Sequence, residues 1–221
     1  TEMCRILADC HEPRQVGTRA MGRPVAGIEV RVVDTDDRDV PAGEAGELVI
    51  RHSAETPAKG FFSGYLNKPE ATAEAWRGGW FHTGDTVRQD DTGMVYFVDR
   101  KKNIIRRSGE NIAAAEVEAI VQGHTNVAQV AVIAIADETR DEEVMACVVA
   151  RDHAAGRELA EAIFDHCNRE LAYFKSPGWI VFVEGLPVTG TQKVLKHMIF
   201  GEGQDPRQLE GAFDLRALKK R

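Results

Sequence analysis

The chain has 221 residues, of which 43% are hydrophobic and 29% charged, and it carries a formal net charge of −7 at pH 7. This length allows one large domain or two small ones, with enough apolar residues to bury a core. The acidic balance argues against a general binder of nucleic acid or of membrane surfaces, because those partners attract basic surfaces.

The first half of the chain is predicted to form a small, mainly antiparallel β unit. Prolines and glycines interrupt residues 1–24, which we interpret as a connecting segment. Alternating apolar and charged residues predict a strand at 28–32, and residues 47–51 predict a second strand that pairs with it antiparallel. The other elements predicted before residue 99 are a short helix at 68–79 and a hairpin formed by residues 80–88 and 94–98.

From residue 100 onward, alternating strands and helices predict a compact α+β domain of about 120 residues, a size that folds independently. The predicted order is a helix at 114–122, strands at 127–136 and 143–151, a helix at 157–171, a strand at 179–183, and a loop at 187–193 before a last short helix.

Cysteine usage and hydropathy bear on the location of the protein. The four cysteines form no CxxC pair, so we expect reduced thiols rather than a zinc or dithiol site. The longest strongly apolar run, Val130 to Ala136, is far too short to span a bilayer. These features favour a cytoplasmic protein without a membrane span.

Asp85 is the first candidate functional residue, at the end of the aromatic stretch that begins at Trp80. A carboxylate there can accept two hydrogen bonds from ribose hydroxyls, and the adjacent Gly84 lets a flat ring approach closely. The alternative is a turn aspartate that only caps backbone amides. The local pattern leaves both interpretations open.

A basic strip follows, formed by Arg100, Lys101, Lys102, Arg106 and Arg107. Beside Gly109, such cations and exposed backbone N–H groups favour the binding of phosphate. The alternative is a solvated hairpin face, on which single exposed charges contribute little. The glycine loop matches no GxGxxG or Walker pattern and is a weak signal by itself.

Lys193 lies in a polar loop that begins with Pro187, near the C-terminus. A lysine on such a loop can be brought to a phosphate as a mobile point charge. Most lysines in surface loops are inert, so the spacing alone does not decide between these roles. The seven histidines form no HxxxH or HExxH pattern, and we assign them no catalytic role.

The motifs, taken in chain order, resemble those of the adenylate-forming superfamily, which includes acyl-CoA synthetases, adenylation domains of peptide synthetases and firefly luciferase. The resemblance covers nearly the whole chain and rests on Thr1-Glu2, Gly46–Leu48, Gly64–Thr72, Trp80–Asp85, Asp99–Lys102, Ser108–Ile112, Ala115–Glu118 and Pro187–Lys193.

The resemblance implies an α+β chain with two parts. Residues 1–99 would be a small antiparallel β-barrel-like subdomain that ends a large N-terminal adenylation region. Residues 100–221 would be a compact, mobile α+β C-terminal domain that binds AMP. The phosphate loop and most of the acyl pocket would then precede Thr1.

The resemblance also implies a reaction in two halves. A carboxylate attacks the α-phosphate of ATP to give acyl-AMP and pyrophosphate, and the thiol of coenzyme A then takes the acyl group. Lys193 would be the catalytic residue of adenylation, Lys102 the hinge between the domains, and Glu2 the ligand of Mg²⁺. The residues implied to contact ATP, AMP or CoA are Thr1, Asp85, Arg100, Arg106, Gly109 and Glu110.

The chain departs from the family pattern around the catalytic lysine. Gln192 replaces the usual glycine before Lys193, and Lys196 replaces the usual arginine three residues after it. Neither change removes the lysine, but we expect the flexibility of the loop to differ. His82 stands where an aromatic residue or arginine is common, which we interpret as tolerated variation.

The leading prediction is the C-terminal part of an ATP-dependent acyl-CoA synthetase that acts on fatty acids or on crotonobetaine- or carnitine-like acids. One alternative keeps the adenylation but transfers the acyl group to the pantetheine of a carrier protein. Another is a folded fragment that is inactive by itself. Expected partners are a small carboxylate, CoA and the N-terminal region of the same protein, and a second copy of the chain is a candidate cover for apolar surface near residues 1–25.

Overall fold

The computed structural model describes residues 2–3, 5–10, 12–151 and 155–220. The chain divides into two compact units, Thr1–Lys102 (unit 1) and Asn103–Arg221 (unit 2). Each unit has its own sheet and its own hydrophobic core. The assignment of the two units to parts of a larger enzyme stays a prediction.

Unit 1 contains a six-stranded antiparallel sheet. Its strands are β1 (Leu7–Ala8), β2 (Ala20–Pro24), β3 (Glu29–Val33), β4 (Ala45–Arg51), β5 (Phe81–Gln89) and β6 (Val95–Arg100). They lie in the order β1-β2-β6-β5-β4-β3. Helix α1 (Pro69–Ala75) and a 3₁₀ turn (Arg77–Gly79) precede β5.

The core of unit 1 forms where the alternating pattern of the strands places apolar side chains on one face. Leu48 and Ile50 of β4 are fully buried, and Phe81 of β5 is 3% exposed. The ring of Phe81 packs against Phe61 and Trp76, with ring centroids 5.8 and 5.3 Å away. The predicted antiparallel pairing of residues 28–32 with 47–51 is confirmed, because β3 pairs with β4.

The prediction that residues 1–24 only connect other elements is wrong. β2 pairs with β1 and β6, and so belongs to the sheet. Gly22, one of the residues that interrupt the local pattern, lets two strands approach closely, since a Cβ there would lie 2.2 Å from the backbone of Ala8. The breaking residues therefore shape short strands rather than abolish them.

Unit 2 combines a sheet with two helices. Its strands are β7 (Ile104–Arg107), β8 (Glu110–Ala113), β9 (Val127–Asp137), β10 (Asp141–Ala150), β11 (Trp179–Phe182) and β12 (Ala212–Asp214), and its helices are α2 (Ala114–Gln122) and α3 (Arg157–Glu170). The sheet order is β12-β11-β10-β7-β8, and β9 pairs with β10. The β10–β11 pair is parallel, and the other pairs are antiparallel.

The sheet of unit 2 is covered on both faces, which explains why β10 is almost continuously buried. On one face Val144, Ala146 and Val148 pack with residues of α2 and α3. On the other face Met145 and Cys147 pack with residues of the C-terminal segment, which are Val194, Ile199, Phe200 and Leu209.

The fold class, an antiparallel β unit followed by a compact α+β unit, is confirmed. The last short helix predicted after Lys193 is wrong. The segment instead contains 3₁₀ turns at Lys196–Met198, Pro206–Gln208 and Arg216–Leu218, with β12 between the last two. The apolar residues of this segment cover the sheet without the spacing of an α-helix.

Of the helices in the described ranges, the longest is α3 with 14 residues. None of them has the length and apolar character that crossing a membrane requires.

Substitution of Gly178 tests the close contact between the start of β11 and β10. A Cβ on Gly178 would lie 2.5 Å from Cδ of Glu143, whose side chain is 1% exposed. We expect Gly178→Ala to lower the free energy of unfolding, measured in urea, by about 1–3 kcal/mol. In the control Gly185→Ala the new Cβ meets no atom within 4 Å, and we expect a change within about 0.5 kcal/mol. Equal losses in the two variants would contradict the steric argument.

Candidate functional site

Asp85 lies in a bulge of β5 that Thr83 and Gly84 shape. The register between β4 and β5 shifts opposite this segment, so the ladder is interrupted there. Gly84 has a φ of +69°, a left-handed conformation that costs glycine little. Thr83 Oγ1 donates to the carbonyl of Leu48 at 2.8 Å and accepts from the amide of Asp85 at 3.1 Å. The bulge therefore fixes the position of Asp85 within β5.

Glu47 on β4 is the centre of a charge network beside the bulge, which we call the Glu47 network. Its side chain is only 5% exposed. Oε2 of Glu47 lies 2.7 Å from Lys101 Nζ, 3.2 Å from His82 Nδ1 and 3.4 Å from Arg77 Nη2. Oε1 accepts a hydrogen bond from the amide of Gly84 at 3.2 Å. One carboxylate thus joins β4, the bulge and the end of unit 1.

The two carboxylates of this region differ in how well their charge is compensated. Burial raises the pKa of Glu47, but the hydrogen bonds and positive charge of Lys101 and the nearby imidazole outweigh it, and the pKa falls below its ordinary value. Burial raises the pKa of Asp85, Arg100 opposes this, and the negative charges of Glu2 and Glu47 add to it, so the pKa rises. Hydroxyl donors of a ligand would therefore stabilise the charged form of Asp85.

Arg100 faces Asp85 across the β5–β6 ladder, in which the two residues are paired. Arg100 Nε lies 3.0 Å from Asp85 Oδ1, without the alignment of a hydrogen bond. The side chain of Arg100 is 50% exposed, and its Nη1 donates to the carbonyl of Thr83 at 3.4 Å. The carboxylate of Asp85 therefore retains capacity to accept hydrogen bonds next to an accessible cation.

Glu2, the predicted Mg²⁺ ligand, belongs to the same region of unit 1. Its carbonyl accepts a hydrogen bond from the amide of Phe62 at 2.7 Å, and its charge acts on Asp85. Thr1 lies outside the described residues. Within the described ranges no group of three or more His, Cys, Asp or Glu residues could hold a metal ion. A single carboxylate still fits Mg²⁺, which usually takes one or two carboxylates together with substrate phosphates.

Lys193 lies on a loop of unit 2 whose two ends are tied together. The amide of Thr189 donates to the carbonyl of Lys193 at 2.9 Å, and the amide of Lys193 donates to Thr189 Oγ1 at 3.1 Å. The amide of Leu195 donates to the carbonyl of Pro187 at 2.8 Å. Lys193 itself is exposed. An ordered backbone therefore presents this lysine to solvent.

Both departures from the family pattern have a structural effect on this loop. Gln192 has a φ of +63°, so this position demands the left-handed conformation that a glycine would adopt easily. Lys196 Nζ forms an ion pair with Glu118 Oε1 at 2.7 Å and ties the end of the loop to α2. The two residues therefore act on the backbone and the anchor of the loop, while Lys193 stays exposed.

The predicted CoA-side residues lie in the turn of the β7–β8 hairpin. Ser108 and Gly109 have φ values of +51° and +84°. The amide of Arg106 donates to Glu142 Oε2 at 2.6 Å, and the amide of Ser108 donates to the carbonyl of Arg140 at 2.9 Å. The turn is thus held by β10 and by the turn before it. Its exposed residues include Arg106, Gly109 and Glu110.

The basic strip does not act as one group. Lys101 belongs to the Glu47 network, and Arg107 is only 4% exposed with its Nε 2.8 Å from a buried carboxylate. Arg106 is exposed, and so is Lys102, which lies in a short 3₁₀ turn at the boundary between the units. The hypothesis that the whole strip serves phosphates therefore fails for Lys101 and Arg107, because each already binds a carboxylate.

Glu47 and His82 have no functional role predicted from the sequence, although both belong to the network that supports Asp85. His82 is 6% exposed and contacts Glu47, so its ring is part of the network and more than tolerated variation. The available signal was Glu47 itself, a charged residue at the start of the apolar run Leu48 to Ile50. A charge at an inward-facing strand position usually needs buried partners.

Residues 116–193 match the family model described as the AMP-binding enzyme C-terminal domain. The matched segment begins in α2 and ends at Lys193, so it lies within unit 2.

Similar proteins are CoA ligases and a related synthetase. The crotonobetaine/carnitine–CoA ligase of Proteus mirabilis (strain HI4320) is 40% identical over 179 residues, which are 80% of this chain and 33% of the ligase. The o-succinylbenzoate CoA synthetase MenE from Bacillus subtilis, solved in complex with the acyl-adenylate intermediate OSB-AMP, has a TM-score of 0.69 and 26% identity, covering 83% of this chain and 36% of that chain. The amide bond synthetase McbA from Marinactinospora thermotolerans has a TM-score of 0.65 and 31% identity. The match covers 82% of this chain and 36% of McbA. The chain thus spans about a third of the length of these proteins.

Glu47→Gln tests the charge network through the pH dependence of stability. Since the pKa of Glu47 is lowered from 4.5, its charge stabilises unit 1 above that pH, and this contribution is lost as the pH falls through the lower folded-state pKa. We expect the variant to lose about 2 kcal/mol of unfolding free energy at pH 7, and the difference from wild type to shrink towards about pH 3.

The measurement is urea unfolding followed by the fluorescence of Trp76 and Trp80, which lie in unit 1. The control is Glu44→Gln at an exposed position of the same unit, for which we expect no loss that depends on pH. A gap between wild type and Glu47→Gln that is the same at pH 7 and pH 3 would rule out the ionised network as its cause.

Gln192→Gly and Gln192→Ala form a matched pair that tests the strained loop position. Left-handed backbone costs an L-residue about 1–2 kcal/mol, and alanine keeps this cost while glycine does not. We expect the glycine variant to be more stable than the alanine variant by about 0.5–1 kcal/mol in thermal unfolding of unit 2. Equal stabilities would show that the position is not left-handed in solution.

Proposed function

We propose that the chain is the C-terminal part of an ATP-dependent acyl-CoA synthetase, because residues 116–193 match the family model of the AMP-binding enzyme C-terminal domain. The enzyme is an acid–thiol ligase that converts a carboxylate, ATP and CoA into acyl-CoA, AMP and pyrophosphate through an acyl-AMP intermediate. The remainder of the active site is supplied by an N-terminal region of the same protein. Alone, the chain is inactive.

The proposal rests mainly on the burial of Asp85 and on the incomplete compensation of its charge. Its carboxylate is partly buried, its charge is incompletely compensated, and it lies beside the half-exposed guanidinium of Arg100. Two vicinal hydroxyls of a ribose supply the donors that this carboxylate lacks. Arg100 adds a positive charge that favours the phosphate side of the nucleotide.

In the adenylation half-reaction the substrate carboxylate attacks the α-phosphate of ATP, and pyrophosphate leaves. Lys193 is the catalytic residue, because its exposed ammonium can be brought against the negative charge that develops on the α-phosphate. Asp85 and Arg100 hold the ribose and orient the phosphate. Glu2 would hold Mg²⁺, which would neutralise part of the charge of the triphosphate.

In the second half-reaction the thiol of CoA attacks the carbonyl carbon of acyl-AMP, and AMP leaves. Rotation about Lys102 withdraws Lys193 and brings the turn of the β7–β8 hairpin to the pocket. Arg106, Gly109 and Glu110 then line the path of the pantetheine arm. Gly109 has no side chain and adopts a φ of +84° at little cost, so its backbone can lie close to the pantetheine arm.

The substrate class follows from similarity. The likeness to crotonobetaine/carnitine–CoA ligases supports crotonobetaine- or carnitine-like acids, and fatty acids are the alternative substrate class. The enzyme works in the cytoplasm, where CoA and ATP are available. In the second candidate function the acceptor is the pantetheine of a carrier protein. The likeness to an amide bond synthetase supports an amine as a further alternative acceptor.

Lys193→Ala in the full-length protein that contains this chain tests the proposal. With ATP, Mg²⁺ and a panel of short to long carboxylates, we expect pyrophosphate release to fall by about 10²–10³-fold, while thioester formation from supplied acyl-AMP and CoA stays near the wild-type rate. The control Lys220→Ala removes another exposed lysine of unit 2 and should leave both half-reactions unchanged. Equal losses in the two half-reactions would contradict the role of Lys193.

The acceptor is decided by the wild-type protein in the same assay. If one CoA is consumed for each acyl-AMP formed, the result supports the acyl-CoA synthetase. Accumulation of acyl-AMP in the presence of CoA would overturn it in favour of a carrier-protein or amine acceptor.

A further inference from the structure

Glu143 is the most deeply buried charged side chain in a cluster of unit 2 that the adenylation mechanism does not use. Its side chain is 1% exposed, and both carboxylate oxygens are occupied. Oε2 lies 2.8 Å from Nε of Arg107, and Oε1 lies 2.6 Å from Nζ of Lys219. Oε1 also accepts a hydrogen bond from the amide of Val144 at 2.8 Å. These three donors hold the carboxylate in one orientation.

The two cations come from different parts of unit 2. Arg107 ends β7, just before the hairpin turn, and the turn and its flanks carry Arg106, Gly109 and Glu110. Lys219 lies in the C-terminal tail, and its side chain is 2% exposed. Glu143 on β10 therefore couples the hairpin to the tail through two buried ion pairs.

The tail keeps its place without the side chain of Lys219. β12 pairs with β11 along three residue pairs, and the amide of Leu215 donates to the carbonyl of Gly178 at 2.9 Å. Leu215 is 1% exposed and belongs to the main core of unit 2. Loss of the Lys219 charge therefore leaves the fold of the tail intact.

The buried charges of this cluster fix the positions of its side chains more than they stabilise unit 2. Burial lowers the pKa of Lys219 to about 8, Glu143 opposes this shift, and Arg107 and Arg140 add to it. A buried cation that is held against its own desolvation contributes little to stability compared with an apolar residue of similar size. Lys219 can, however, fix the orientation of the Glu143 carboxylate. That carboxylate in turn fixes the position of the Arg107 guanidinium, which contacts its other oxygen.

We infer that Lys219 and Glu143 are positioning residues for the thioester-forming half-reaction, acting through Arg107 on the turn of the β7–β8 hairpin. The inference rests on the proposed function, in which this turn flanks the pantetheine arm. Adenylation uses Lys193, whose loop is held by its own hydrogen bonds to Thr189 and between Leu195 and Pro187. The two half-reactions should therefore respond differently to loss of Lys219.

The test uses Lys219→Met and Lys219→Arg in the full-length protein, with Lys220→Met as the matched control at the exposed neighbouring lysine. Lys219→Met keeps an unbranched side chain of similar length and leaves Arg107 and Glu143 as a neutral pair, so we expect it to fold. Thioester formation from supplied acyl-AMP and CoA should fall about tenfold or more, while pyrophosphate release with ATP and carboxylate stays within about twofold of wild type. Lys219→Arg should recover most of the lost rate, because it restores a donor to Oε1.

Equal losses in both half-reactions, or no loss in either, would overturn the inference. Failure of Lys219→Arg to recover the rate would also count against it, since a donor to Glu143 is then not what matters.

Amide hydrogen exchange decides the positioning independently of activity. In Lys219→Met we expect faster exchange in the hairpin at residues 104–113, with exchange in α2 and α3 unchanged. Unchanged exchange in the hairpin would overturn the inference even if the enzyme is a synthetase. If the wild-type protein forms no acyl-AMP, the proposed function fails, and the exchange data still report whether Lys219 positions the hairpin.

Discussion

A buried carboxylate must be surrounded by donors, and unit 1 is built around this requirement at Glu47. Lys101 comes from the end of the unit, His82 from β5, and the amide of Gly84 from the bulge itself. Each of these groups is distant from Glu47 in sequence. The buried charge of Glu47 thus holds β4, β5 and the end of unit 1 together next to Asp85.

The two neighbouring carboxylates, Glu47 and Asp85, therefore have different roles. Glu47 is satisfied by the protein, and its pKa is lowered. Asp85 is only partly satisfied, and its pKa is raised. A side chain that the protein leaves incompletely compensated is available to a ligand, and perturbed ionisable groups of this kind are concentrated at functional sites.

Unit 2 also contains a buried carboxylate that is surrounded by donors from distant segments. Glu143 occupies a central strand, and its two oxygens hold cations from the hairpin and from the tail. The exposed groups with proposed chemical roles, Lys193 and the hairpin turn, lie on loops. The hairpin turn is held by Glu142 of β10, and Lys196 ties the Lys193 loop to α2. The proposed function is therefore carried by loops that the neighbouring elements support.

Local sequence patterns determined most of the elements of this protein and the identity of its exposed candidate residues. Alternation in β3 and β4, the apolar runs of β9 and β10, and the spacing of α3 are properties of neighbouring residues, and they predicted those elements correctly. The motif series singled out Asp85, Lys193 and the turn at Gly109 as candidates, and their roles stay predictions. The patterns failed where structure depends on distant partners, as in strand β2 and the C-terminal 3₁₀ turns.

Only the tertiary structure decided which charges serve the fold and which remain available. Residues that look alike in the basic strip separate in the structure, because Lys101 pairs with a carboxylate 54 residues away while Arg106 is exposed. Lys219 contacts a carboxylate 76 residues away. Ion pairs over such separations depend on strand register and on the packing of whole elements, and these are not encoded in any local period of the sequence.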